Sequence, residues 1–241
     1  MSIKNSIYIG LLVIVFAACQ NKPNNSIDQN FTIKVSIEDI PNNTMVWLKK
    51  QENNIPITID STVTKNGTFE LKGNVEVPSI YGIFIDSLEG GIFPIVEKGI
   101  LTITAHKDSL FNAQITGSKL NEELDNFKAG SQKIVSKINE LFPEFQKART
   151  ENDLEKIEEL NAKMRGINDE NTDYSLNYAK NNPDSHISAI VLNSLLRMPN
   201  LEKDSISIIY SNFSEEVKKS EFSKNISKYL EAVTSQTDSI N

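Results

Sequence analysis

Sulfur chemistry is almost missing from this chain: one of its 241 residues is cysteine, Cys19. A lone thiol excludes an internal disulfide and the paired thiols of dithiol exchange. Histidine is scarce too, His106 and His186 being the whole supply. A zinc-type centre wants three or four nitrogen and sulfur ligands, so no metal and no cofactor is expected. Basic charge is in deficit, since 25 Lys and Arg face 32 Asp and Glu for a net charge of −7. With no basic stripe to neutralise phosphates, no nucleic-acid partner is expected. The ten glycines form neither a G-x-G-x-x-G nor a phosphate loop. Long apolar runs are absent as well. The run from Ile7 to Ala18 has twelve residues, whereas a helix crossing the hydrocarbon core needs about 20.

That short run has the layout of a secretory signal. Lys4 precedes it, the middle is apolar, and small residues precede the cut. The ending Phe16-Ala17-Ala18-Cys19 resembles the lipobox of bacterial lipoproteins, with Phe16 in place of the usual Leu. The resemblance implies that residues 1–18 are removed and that Cys19 carries a diacylglycerol and an acylated amine. One acyl chain binds a membrane only reversibly, and several on one residue hold firmly. Residues 19–30, polar and Asn-rich with Pro23, read as a flexible tether. Gln20 after the cysteine favours the outer membrane by analogy with enterobacterial sorting, with the folded part facing the periplasm.

Two periods divide the rest. In residues 31–117 the period is two: Phe31, Ile33, Val35 and Ile37 alternate with Thr32, Lys34, Ser36 and Glu38. Further strands are expected at Thr44–Lys49, Ile55–Val63, Gly67–Gly73, Ile80–Asp86, Ile92–Val96 and Leu101–Ala105. Turns separate them, among them Lys65-Asn66-Gly67. In residues 118–241 the period is helical. Leu120, Leu124, Phe127, Ile134, Ile138, Leu141 and Phe145 make one stripe, and Leu154, Ile157, Leu160, Met164 and Ile167 make a second. Thr150 to Asp153 offer capping side chains between them, so an antiparallel hairpin is expected, its seam intramolecular rather than dimer-forming. Pro183-Asp184-Ser185 opens a third helix, and Leu201–Phe213 and Phe222–Val233 supply two more. The expected fold class is α+β, an N-terminal antiparallel β-sandwich or open barrel followed by an all-helical module.

Candidate chemistry is sparse. His106 and His186 read as solvated or capping residues, and Asp184-Ser185-His186 as a helix cap rather than a triad. Glu122-Glu123, Glu158-Glu159 and Glu215-Glu216 lie about 100° apart around a helix and read as solvated faces. Trp47, between Met45 and Leu48 on a strand, reads either as core or as a ligand or partner platform. Asp-Ser followed by Thr, Leu or Ile recurs at Asp60, Asp86, Asp108, Asp204 and Asp238. It resembles an O-glycosylation acceptor of some Gram-negative bacteria, and it is equally a turn and cap dipeptide.

The run Asn66–Gly73, Val77-Pro78, Ile95–Thr104, Ile115–Ser118 with Asn121–Leu124, and Asn182–Ser185 resembles the region that precedes the thioredoxin-like domain in TlpA-like envelope thiol-disulfide oxidoreductases. The likeness covers about residues 31–234. It implies a β domain of unknown function, a helical segment, and a thiol-oxidoreductase or other envelope protein as partner. No C-x-x-C is present to carry that family's chemistry. The expectation is a non-catalytic, lipid-anchored accessory or partner-binding module, not an enzyme. Two alternatives are a truncated or split oxidoreductase and a small-ligand-binding periplasmic module.

Overall fold

A computed structural model describes residues 29–52, 55–198 and 201–238. Residues 1–28, where the signal, Cys19 and most of the tether are expected, lie outside the described residues. Eight strands come first: β1 Phe31–Glu38, β2 Met45–Glu52, β3 Ile55–Val63, β4 Thr68–Gly73, β5 Ser79–Ile85, β6 Ile95–Val96, β7 Gly99–His106 and β8 Gln114–Thr116. They form two four-stranded sheets, ordered β4-β1-β7-β8 and β3-β2-β5-β6.

The core follows from alternation. Phe31, Ile33, Val35 and Ile37 of β1 point inward with Leu101 and Ile103 of β7, against Val46 and Leu48 of β2 and Tyr81, Ile83 and Ile85 of β5. Each such aliphatic side chain contributes about 1.5–3 kcal/mol when fully buried. The Lys65-Asn66-Gly67 turn forms where expected, with Asn66 at φ 51° and Gly67 at φ 75°. Its backbone also touches β1: Ile37 N–H donates to Gly67 O at 2.8 Å. The outer strands β3 and β4 are tied by Asp60, whose carboxylate accepts from Lys72 N–H at 2.7 Å.

Three details depart from the sequence reading. β1 and β7 pair in parallel, Ile33 beside Leu101 and Val35 beside Ile103, so the first sheet is mixed. A parallel pair needs a long crossover, and here five strands intervene between the partners. The strand expected at Ile92–Val96 shrinks to Ile95–Val96, because Pro94 has no N–H to add to a ladder; its carbonyl accepts from Tyr81 N–H instead. Residues 114–116, not assigned to a strand from sequence, pair with β7 as β8.

The helices are α1 Lys119–Glu151, α2 Leu154–Asn181, α3 His186–Leu195, α4 Lys203–Ser211, α5 Glu215–Lys218 and α6 Glu221–Asp238. α1 and α2 form the expected hairpin. Asn152 closes α1 in a left-handed conformation, and the Asp153 side chain caps α2 by accepting from Lys156 N–H. Ser185 caps α3 through Ile187 N–H. One apolar cluster lies within the helical half, around Leu192, Ile206, Phe213 and Ile226. A second joins the halves: Ile95 of β6 and Ile80 of β5 pack with Leu120, Leu124 and Phe127 of α1, Tyr178 of α2, and Ile187 and Val191 of α3.

Candidate binding face

Trp47 is outside the core. Val46 and Leu48 on either side are fully buried, and successive strand side chains point to opposite faces, so Trp47 must face outward. Beside it the β2–β3 register shifts between Leu48 and Lys49, a bulge that bends the strand locally.

Around Trp47 the outer face of the second sheet is apolar and contiguous. Phe84 lies opposite it on β5 and Ser61 on β3, while Met45 pairs with Val63. Phe84 meets Phe93 edge to face, ring centroids 5.8 Å apart. Met45 is 38 % exposed, Val63 43 % and Phe93 57 %, while Trp47 and Phe84 are half-buried. The floor is glycine: a Cβ on Gly82 would fall 2.5 Å from the Phe84 ring, so that ring lies over bare backbone. One cation tops the face, the Lys49 ammonium standing 5.8 Å from the Trp47 ring centroid and 5.4 Å from that of Phe84. Such contacts contribute about 0.5–1 kcal/mol at exposed sites. They hold the lysine stem down on the rings, so the aromatic surface carries a positive charge beside Trp47 and Phe84.

The other candidates separate. His106 lies at the end of β7, 3.7 Å from Asp39 and 3.6 Å from Asp108, and its Nδ1 accepts from Asp108 N–H. His186 is neither solvated nor the cap. It is the first residue of α3, half-buried, and its Nδ1 is buried with no hydrogen-bond partner. Burial pushes its pKa below the usual 6.5, against the opposing pull of Glu216, Glu97 and Glu123. The glutamate pairs are mostly tied to neighbouring cations, as Glu159 to Lys156 and Lys163, and Glu216 to Lys219. Glu123 differs: it accepts from the Tyr178 hydroxyl, and burial, first, then this carboxylate push Tyr178 well above the usual tyrosine range. Among the Asp-Ser pairs, Asp60 binds its own Ser61 N–H and the β4 backbone, a structural use; Ser239 lies outside the described residues.

Among the described residues no group of three or more His, Cys, Asp and Glu is placed to hold a metal ion, and no helix is long and apolar enough to cross a membrane. Sequence reasoning passed over Phe84 and Phe93, although the alternation of Tyr81, Ile83 and Ile85 in β5 already turns Phe84 outward. No curated protein and no solved structure matches the chain. Residues 31–124 match the model of a family described as Domain of unknown function (DUF4369), a span that holds all eight strands and the first turns of α1.

Proposed function

We propose that this chain is a non-catalytic accessory lipoprotein of the cell envelope that docks a partner protein through the Trp47–Phe84–Phe93 face. One observation carries the reading: a contiguous aromatic and aliphatic surface lies on the outside of a sheet whose other face is already packed. Large exposed apolar patches on soluble domains mark interaction sites, and aromatic anchors dominate binding energy at interfaces. Anchoring rests on the lipobox-like Phe16–Cys19 and the polar tether. An acylated Cys19 would hold the sandwich at the membrane, on the outer membrane facing the periplasm. The resemblance to the region preceding the thioredoxin-like domain of TlpA-like proteins makes an envelope thiol oxidoreductase the partner to try first.

Trp47 is the sole tryptophan of the chain, so its fluorescence reports on the face directly. Titration with the host's thioredoxin-like oxidoreductase should shift the emission saturably, and Trp47→Phe with Phe93→Ala should weaken the complex about ten-fold or more. No saturable change, together with no effect of these substitutions in a co-sedimentation assay, would remove the docking face. The anchor is tested separately by mass spectrometry of the amino-terminal peptide from the native host. A thioether-linked glyceride on Cys19 is expected, and an unmodified thiol overturns it.

A further inference from the structure

On a different side of the molecule, a cleft of about 580 Å³ separates the sandwich from α6. The sandwich lines it with Lys50 and Glu52 of β2, Asn74 to Val77 of the β4–β5 connection, and Ser79; the helical half contributes Lys219, Glu221, Lys224, Asn225 and Lys228. We propose that this cleft binds a small ligand carrying clustered oxyanions, two or more carboxylate or phosphate groups on one molecule.

The argument is one of charge placement. In a chain of net charge −7, four ammonium groups from both halves converge on a single cavity whose carboxylates number three, Glu52, Glu76 and Glu221. Two of the four are already engaged: Lys219 with Glu216 at 2.7 Å, and Lys50 over the Tyr81 ring at 5.8 Å. Lys224 and Lys228 make no ion pair among the described residues. They are one helical turn apart on α6, about 6 Å along the axis, and therefore share a face. Like charges at that spacing repel mildly, and Glu221, three residues before Lys224 and lining the same cavity, pairs with neither lysine among the described residues. A ligand with two linked oxyanions would bridge them, while the side-chain amides of Asn74 and Asn225 offer neutral donors for its remaining oxygens. The cavity volume lies within the range of clefts that take small molecules. Such a ligand would touch both halves at once, so occupancy would also raise the stability of the whole chain through mass action.

The test uses the full chain with citrate and inorganic pyrophosphate as probes, at ionic strength held constant with sodium chloride. Calorimetry and thermal unfolding should give saturable binding of at least one probe and a rise in melting temperature. Lys224→Gln with Lys228→Gln should weaken binding about ten-fold or more, since each lost charge-assisted hydrogen bond is a large fraction of a small ligand's affinity. Lys50→Gln, on the sandwich side, should weaken it as well, and Lys133→Gln on α1 should not. Circular dichroism of the exposed-lysine variants should match the parent. If neither probe binds beyond the chloride control, or if the double variant binds as the parent does, the assignment is overturned.

Discussion

The side-chain amide of Asn121 completes the backbone of Ile95. Its Oδ1 accepts from Ile95 N–H at 3.0 Å and its Nδ2 donates to Ile95 O at 2.7 Å. β6 is an edge strand two residues long, and the amide of a helix residue occupies the place where a neighbouring strand's peptide group would sit. Ser118 finishes the arrangement, its hydroxyl accepting from both the N–H and the amide of Asn121 and donating to Glu97. The joint between sandwich and helices is therefore polar at its centre and apolar around it, with Ile95, Ile187 and Val191 packed beside the amide.

Asn121→Ala should destabilise the protein by about 2–4 kcal/mol, because it strands one buried donor and one buried acceptor. Asn121→Asp keeps an acceptor, loses the donor, and should cost at least as much near neutral pH. Urea unfolding followed by far-ultraviolet circular dichroism measures both. A cost below about 0.5 kcal/mol, the level of ordinary surface substitutions, would mean that the joint does not depend on this amide.

Neighbouring residues of β2 should behave oppositely. Leu48→Ala removes a fully buried side chain and should cost about 2–5 kcal/mol. Trp47→Ala strips the outer face and should cost markedly less, about 1 kcal/mol. The pair of urea midpoints checks the inside–outside assignment without reference to any ligand.

His186 gives a pH dependence of definite sign. Its pKa is lowered from 6.5 in the folded chain, so near and below that pH the unfolded chain binds more protons. Stability from this residue is full above pH 6.5 and is lost as pH falls through the folded value. Three carboxylates face it, Glu97 from the β6–β7 turn, Glu123 from α1 and Glu216 from α5. They soften the effect without reversing it. His186→Gln should flatten the stability profile between pH 7 and 5 relative to the parent; urea midpoints across that range and the histidine proton chemical shift read it out.

Gly67 should resist substitution. Its φ of 75° is left-handed, and a Cβ there would lie 2.9 Å from Ile37 O. Gly67→Ala should cost about 1–2 kcal/mol from strain and from loosening the bond to Ile37. Gly90→Ala, also at positive φ but in open space, should cost less. The difference in melting temperature between the two variants isolates the steric part.

Much of this architecture is written in local pattern. The alternation from Phe31 to Ile37, the Asn66-Gly67 turn, and the capping side chains of Asp153 and Ser185 are all short-range signals, and each element forms where they place it. What escaped has no local signature. The parallel β1–β7 ladder joins residues far apart in the chain, three-residue β8 and four-residue α5 are too short to display a period, and Asn121 looks like any polar position in the first turn of a helix. The candidate face was half legible. Trp47 stood out by its rarity, but its direction had to come from Val46 and Leu48, and Phe93 reaches the face only through the irregular segment after β5.

The parallel ladder also governs how the chain can reach its fold. Phe31 pairs with Gly99, sixty-eight positions later, so the central strand of the first sheet lacks one neighbour until nearly the entire β region is available. Closing so long a loop is slow compared with zipping adjacent helices. The α1–α2 hairpin, whose contacts bridge a two-residue turn, can condense on its own timescale while the sandwich waits. Emerging amino-terminus first during synthesis, β1 and β4 would remain an incomplete antiparallel pair, exposed to aggregation, until β7 arrives.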